Sequence, residues 1–299
     1  MNRFENSFEG IWLPLITPFR DGVVDLAAAR PLVRHYLDAG IHGLVVCGTT
    51  GEAATLSADE KLQWLDAVLD AADGRCPVAM GTGGNDTAAV LRALEPLNAR
   101  PLAGLLVTAP YYSRPSQDGI RAHIAAIAGA TSHAVILYNI LYRTGVNIDL
   151  ATVQALSACP NIVAIKESGG DMNQLMNLIR ETNLQVLGGE DHLIFATLSL
   201  GGHGAIAAAA HLRPAWFVAL YEAARLGRWQ YARELSYRLL PLVRALFAEP
   251  NPAVIKAALA QDGWIADELR LPMLPASAAA RAVLTGVLAT LDEEPPPAA

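Results

Sequence analysis

Lysine is scarce in this chain. Only Lys61, Lys166 and Lys256 occur among 299 residues, and acidic side chains outnumber basic ones by 29 to 22, a formal net charge of −7. No block of Lys and Arg interrupts that balance, which argues against a nucleic-acid or anionic-membrane partner. Cysteine is nearly as rare. Cys47, Cys76 and Cys159 are odd in number, widely spaced and form no CxxC pair, so neither a disulfide framework nor a zinc site is expected, and each reads as a small buried hydrophobe. No run of 18 uninterrupted apolar residues is present, and Met1 to Gly10 lacks the apolar core of a signal peptide, so the expected location is the cytoplasm, with no membrane contact. Nucleotide loops are missing too: Gly81-Thr82-Gly83-Gly84 lacks the lysine of a P-loop and does not match GxGxxG.

What is present is a large apolar fraction, 53%, with 17% charged residues, enough to bury a sizeable core. Short apolar or β-branched runs recur, each followed by a helical pattern: Ile11–Thr17, Gly43–Val46, Val78–Gly81, Gly104–Thr108, Val135–Asn139, Ile162–Lys166, Gln185–Gly188 and Gly204–Ala207. Between them Ile120, Ile124 and Ile127 repeat at helical spacing behind Ser116, a plausible N-cap. Another helix opens at Pro214 and closes at Gly227. Strands alternating with helices imply parallel βαβ units, and eight units fit an α/β fold of the (β/α)8 TIM-barrel type, with a doubly wound sheet as the alternative. About 95 residues follow the last strand with helical patterns only, near Arg228–Phe247, Pro252–Gln261 and Ser277–Leu291. No Gly/Ser-rich linker sets them apart. The expected organisation is therefore a single domain over 1–299: a barrel over about 10–227, a C-terminal helical extension over about 228–291, and a disordered acidic, Pro-rich tail over 293–299.

The informative residues fall just after the strands, where barrel enzymes carry their chemistry. Lys166 closes the run Asn161-Ile162-Val163-Ala164-Ile165-Lys166 instead of lying on a polar helix face. Burial at a strand end disfavours the ammonium, and a neutral amine can form a Schiff base with a carbonyl. The plainer possibility is a lysine that reaches outward to pair with an acid. Gly48-Thr49-Thr50-Gly51-Glu52, Pro110-Tyr111-Tyr112, Tyr138-Asn139, Arg143 with Gly145, and Gly188-Gly189-Glu190-Asp191 follow other strands. Individually these are ordinary turns or rim residues. Together they suit an α-keto acid: the lysine attacks the ketone, the threonine loop holds the carboxylate, and hydroxyls move protons. No Asp, Glu and His set stands at metal spacing on these loops, which disfavours a metal-dependent class II aldolase.

Gly48-Thr49-Thr50-Gly51-Glu52, Tyr138-Asn139, Arg143-Thr144-Gly145 and Ile165-Lys166-Glu167 resemble the dihydrodipicolinate synthase / N-acetylneuraminate lyase family of class I pyruvate aldolases, from about Gly10 to Leu291. Pro110 to Gln117, Gly201-Gly202-His203-Gly204, Glu249-Pro250-Asn251-Pro252 and Leu271-Pro272-Met273 are similar to its synthase branch. The resemblance implies that Lys166 forms the Schiff base with pyruvate and replaces any metal or organic cofactor. It implies that Tyr138 donates and accepts protons above the lysine, linked through Thr49 to Tyr112, and that this second tyrosine serves a neighbouring subunit of a homodimer or homotetramer. Thr50 with Thr49 would bind the pyruvate carboxylate, and Arg143 the carboxylate of L-aspartate 4-semialdehyde. Gly189 and Ile206 would line the pyruvate pocket.

This chain departs from the family pattern in places. Between Asn139 and Arg143 it has Ile140, Leu141 and Tyr142 where the family shows an apolar residue, a proline and a small residue, and Ala53 stands where the branch favours serine. The lost proline is expected to relax the loop that aims Arg143, and Tyr142 to add bulk. These changes raise the alternative of a sibling aldolase acting on another 2-keto acid, such as a 2-keto-3-deoxy sugar acid. A non-catalytic keto-acid-binding barrel is a more distant alternative. Positions matching the effector cleft of lysine-inhibited members are Ala58, Lys61 and Ala89, beside Asn85 and Tyr111, so lysine feedback is expected to be weak or absent.

Overall fold

The computed structural model describes residues 8–292 and 294–297. Among the described residues ten strands form, numbered in chain order: β1 (Gly10–Pro14), β2 (Phe19–Arg20), β3 (Val23–Val24), β4 (Gly43–Val46), β5 (Val78–Thr82), β6 (Gly104–Thr108), β7 (Ala134–Asn139), β8 (Ile162–Glu167), β9 (Gln185–Gly188) and β10 (Gly204–Ile206). Eight of them close into a barrel in the order β1-β10-β9-β8-β7-β6-β5-β4, and β2 and β3 form a separate antiparallel hairpin. Helices follow the barrel strands, as the alternating pattern predicts, so the fold is the (β/α)8 barrel with added C-terminal helices. All six residues of β7 and all four of β4 are buried. Such two-sided burial is why these strands read as continuous apolar runs without alternation.

The expected first strand ran to Thr17, but β1 ends at Pro14. Beyond Leu15, whose amide still donates to the Val45 carbonyl at 3.0 Å, side chains enter the pairing: the Ile16 amide donates to His211 Nε2 at 3.2 Å, and the Thr17 hydroxyl donates to the Gly51 carbonyl at 2.7 Å. The hairpin β2–β3 was not foreseen. It turns on Asp21 and Gly22, both at positive φ (53° and 77°), a pairing that favours tight hairpin turns.

By backbone contacts the chain divides into two compact units. The first is Pro77–Ile206 with residues 8–9, and holds β5 to β10. Its strands β5 to β10 pair in parallel, and the helix Gln117–Gly129 buries Ile120, Ile124 and Ile127 completely while Ser116 caps it by accepting from the Gly119 amide.

The second unit is Gly10–Cys76 with the segment from Ala207 onward. Here β1 pairs with β4, and Pro214 opens the helix Pro214–Arg225. The three C-terminal helices are Trp229–Leu246, Ala253–Gln261 and Ala278–Leu288, each within about three residues of the expected bounds. Of the tail expected to be disordered, residues 293, 298 and 299 lie outside the described residues, and Pro296 accepts a hydrogen bond from the Tyr231 hydroxyl. All three cysteines are free. Cys47 and Cys76 are buried, which pushes each thiol up to about 12, while Cys159 is partly exposed. Among the described residues no helix is long and apolar enough to cross a membrane.

Candidate active site

Strand pairing brings the first two candidates together. In the parallel register of β7 and β8, Tyr138 lies opposite Lys166. The lysine Nζ stands 4.4 Å from the centre of the tyrosine ring. Lys166 is only 6% exposed and Tyr138 4%. A lysine this buried, with no carboxylate at salt-bridge distance among the described residues, is not the outward-reaching surface residue of the plainer reading.

The next residue, Glu167, points the other way along the strand and is held by amides. Asn139 Nδ2 donates to both its oxygens (3.1 and 3.0 Å), Gln174 Nε2 donates at 3.0 Å and the Gly169 amide at 2.5 Å. Burial raises its carboxyl above the usual range, and these donors pull it back. Asn139 also anchors the following segment by accepting from the Ile148 amide at 3.0 Å.

Gly189 packs directly against the lysine. A Cβ there would come within 1.8 Å of Ser168 Oγ and 2.7 Å of Lys166 Cε, so only glycine lets the backbone approach. Its amide donates to the Glu167 carbonyl at 2.8 Å. Ile206, at the end of β10, is 1% exposed. Two groups that sequence reasoning left without a role also lie here. Ser168 Oγ and Glu190 Oε1 are buried with no hydrogen-bond partner among the described residues. Burial raises the Glu190 carboxyl, the charge of Lys166 lowers it, Glu167 raises it further and Arg143 lowers it. Glu190 was visible in Gly188-Gly189-Glu190-Asp191, but no local pattern marks an orphaned oxygen.

Arg143 and Tyr142 sit on a single helical turn, Leu141–Thr144, with Gly145 at φ 77° closing it by donating to the Leu141 carbonyl. The Thr144 hydroxyl bonds the Ile140 and Val146 carbonyls at 3.1 and 2.8 Å. The expected relaxation of this loop is therefore not what the structure shows: the turn is tied by hydrogen bonds that need no proline. Tyr142 lies within reach of Arg143, whose guanidinium carbon is 5.6 Å from its ring centre. Burial first, then the nearby charge of Glu190, pushes its hydroxyl up to about 12. Tyr112 is different. It is 89% exposed, so in this chain it does not pack with Tyr138 and Lys166, and its φ of 67° is rare for an aromatic residue.

The threonine loop belongs to the second unit. Its turn closes with the Gly51 amide bonded to the Gly48 carbonyl and the Glu52 amide to the Thr49 carbonyl, both at 3.1 Å. Cys47 and Glu52 bracket it at φ 56° and 49°, two non-glycine residues in the left-handed region. Thr49 is half-buried; Thr50 is 3% exposed and accepts from Asn251 Nδ2 at 3.0 Å. Glu52 forms a buried ion pair with Lys256 at 2.5 Å and accepts from the Arg270 amide at 3.2 Å. Burial lowers the Lys256 ammonium, against the pull of Glu52. Phe19 meets two cations, its ring centre 4.1 Å from Lys256 Nζ and 4.5 Å from the Arg270 guanidinium carbon.

A model of the dihydrodipicolinate synthetase family matches residues 7–291. The chain belongs to this family. The chain is 41% identical over 272 residues to 4-hydroxy-tetrahydrodipicolinate synthase 2 of Clostridium acetobutylicum, covering 90% of this chain and 95% of that one. Among solved family structures, a monomeric dihydrodipicolinate synthase variant superposes with a TM-score of 0.92 at 35% identity, over 94% of this chain and 96% of that one. The chloride-inhibited synthase of Acinetobacter baumannii, complexed with pyruvate, gives 0.92 at 32% identity, over 95% and 98%. The buried strand-end lysine and its tyrosine therefore belong to a synthase-like family member.

Proposed function

We propose that this chain condenses pyruvate with L-aspartate 4-semialdehyde to 4-hydroxy-tetrahydrodipicolinate, a step of lysine biosynthesis, through a Schiff base on Lys166. The single observation that carries the reading is the buried lysine amine 4.4 Å from the Tyr138 ring, in a chain of this family.

The chemistry follows from those groups. The Lys166 amine adds to the pyruvate ketone, and loss of water gives an imine; Tyr138, with Thr49 and Tyr112, moves the protons this needs. The imine acidifies the methyl group, which gives up a proton to form an enamine. The enamine carbon attacks the aldehyde, whose oxygen takes up a proton. The amine of the adduct then adds to the imine carbon, and Lys166 leaves with its proton restored. Thr50 with Thr49 holds the pyruvate carboxylate, Arg143 the carboxylate of the aldehyde, and Gly189 and Ile206 the walls of the pocket. The covalent lysine takes the place of a cofactor.

The exposure of Tyr112 supports a role in another copy of the chain, and we assign the active form to a homodimer or homotetramer. Three unpaired cysteines suit the reducing cytoplasm. The test is incubation with pyruvate and borohydride, then intact mass and peptide mapping. A reduced pyruvate adduct on Lys166 is the expected result. No adduct, or one on Lys61 or Lys256, would sink the mechanism.

A further inference from the structure

Asn251 lies in the motif Glu249-Pro250-Asn251-Pro252. It precedes the helix Ala253–Gln261, and its Nδ2 donates to the Thr50 hydroxyl oxygen at 3.0 Å. Five residues later the same segment sends Lys256 to Glu52, two residues past Thr50. The C-terminal extension thus grips the threonine loop twice, once through a neutral amide and once through a buried ion pair.

The direction of the amide bond matters. A threonine hydroxyl has one proton to donate and two lone pairs. By accepting from Asn251, Thr50 uses a lone pair and keeps its proton for another acceptor. A carbonyl in the same place would consume that proton and leave nothing for an anion. Polarisation by the incoming donor also strengthens the outgoing hydrogen bond. A second observation separates this from plain packing: Asn251 Oδ1 is buried with no hydrogen-bond partner among the described residues. An asparagine retained only to stitch the loop would be expected to satisfy both ends.

We infer that Asn251 is a positioning residue that fixes the Thr50 hydroxyl as a donor to the substrate carboxylate. The inference rests on the assignment of the pyruvate carboxylate to the threonine loop. It deepens that reading by placing the loop's donor polarity under control of the C-terminal extension.

The test reads the pyruvate concentration that half-saturates borohydride trapping on Lys166, which needs no second substrate. Asn251→Ala is expected to raise it about tenfold, the order of one lost charge-assisted hydrogen bond. Asn251→Asp keeps the shape, takes the Thr50 proton and adds a negative charge, and is expected to raise it further. In a Thr50→Val background, Asn251→Ala should add less than twofold, because its effect runs through that hydroxyl. A residue that only stabilised the loop would penalise Asn251→Ala equally in both backgrounds and spare the isosteric Asp, and that pattern would overturn the inference. Should the alanine variant fail to fold, the Asp variant decides alone: half-saturation equal to the parent's overturns the inference. An adduct in the parent with unshifted variants defeats this inference only. No adduct in the parent defeats the underlying reading as well.

Discussion

His211 is fixed in its neutral form by two hydrogen bonds of opposite sense. Its Nε2 accepts from the Ile16 amide at 3.2 Å, so Nδ1 carries the proton and donates to the Ala208 carbonyl at 2.8 Å. With burial as the main cause, its pKa falls to about 4. The sign of the consequence is definite. Between pH 6.5 and 4 the unfolded chain binds a proton that the folded chain refuses, so stability falls as pH drops through that window, by about 3 kcal/mol in all. Urea unfolding at stepped pH should show this loss, and His211→Gln should flatten it; an unchanged slope would refute the assignment. Lys166 illustrates what one residue can disclose. Its strand-end position was readable from the apolar run before it, whereas the orphaned oxygens of Ser168 and Glu190 beside it depend on packing that no local pattern encodes.

The strands were legible because buried parallel strands are runs of Val, Ile and Leu between glycine-rich turns, and β4, β6 and β9 match their expected bounds residue for residue. The hairpin at Asp21-Gly22 is hidden in the sequence although its turn pair is a strong local signal, because two-residue strands are too short to show alternation. The clamp of Lys256 on Glu52 joins residues 204 apart in sequence, and charge patterning along a helix does not extend so far. That clamp has a measurable worth. Lys256→Met leaves Glu52 buried without its counter-charge, held only by the Arg270 amide among the bonds described, and is expected to cost about 3–5 kcal/mol in chemical denaturation. Adding Glu52→Gln should recover much of the loss. A single variant as stable as the parent would show that the pair carries no such weight. On the turn Leu141–Thr144, Arg143→Ala should raise the KM for the aldehyde while leaving pyruvate trapping on Lys166 intact. Equal damage to both would move Arg143 out of the second-substrate role.

For the whole enzyme, the expected lack of feedback rests on Ala58, Lys61 and Ala89. Ala58 and Lys61 stand in the first turn or so of the helix Ala58–Ala72, and Ala89 near the start of Thr87–Asn98. A cationic effector bound beside Lys61 would meet a like charge there, and Ala58 offers no carboxylate to offset it. Micromolar L-lysine should leave the steady-state rate unchanged, and inhibition in that range would contradict the assignment. The thiols have a practical corollary. Cys47 stands immediately before the threonine loop, yet its thiol is buried and stays protonated well above neutral pH, as does that of Cys76. Only Cys159 offers partial access. The native enzyme is thus a natural single-attachment scaffold: a maleimide dye or a tether to a solid support would couple at one place, between the helix Leu150–Leu156 and the start of β8, with no cysteine to remove beforehand.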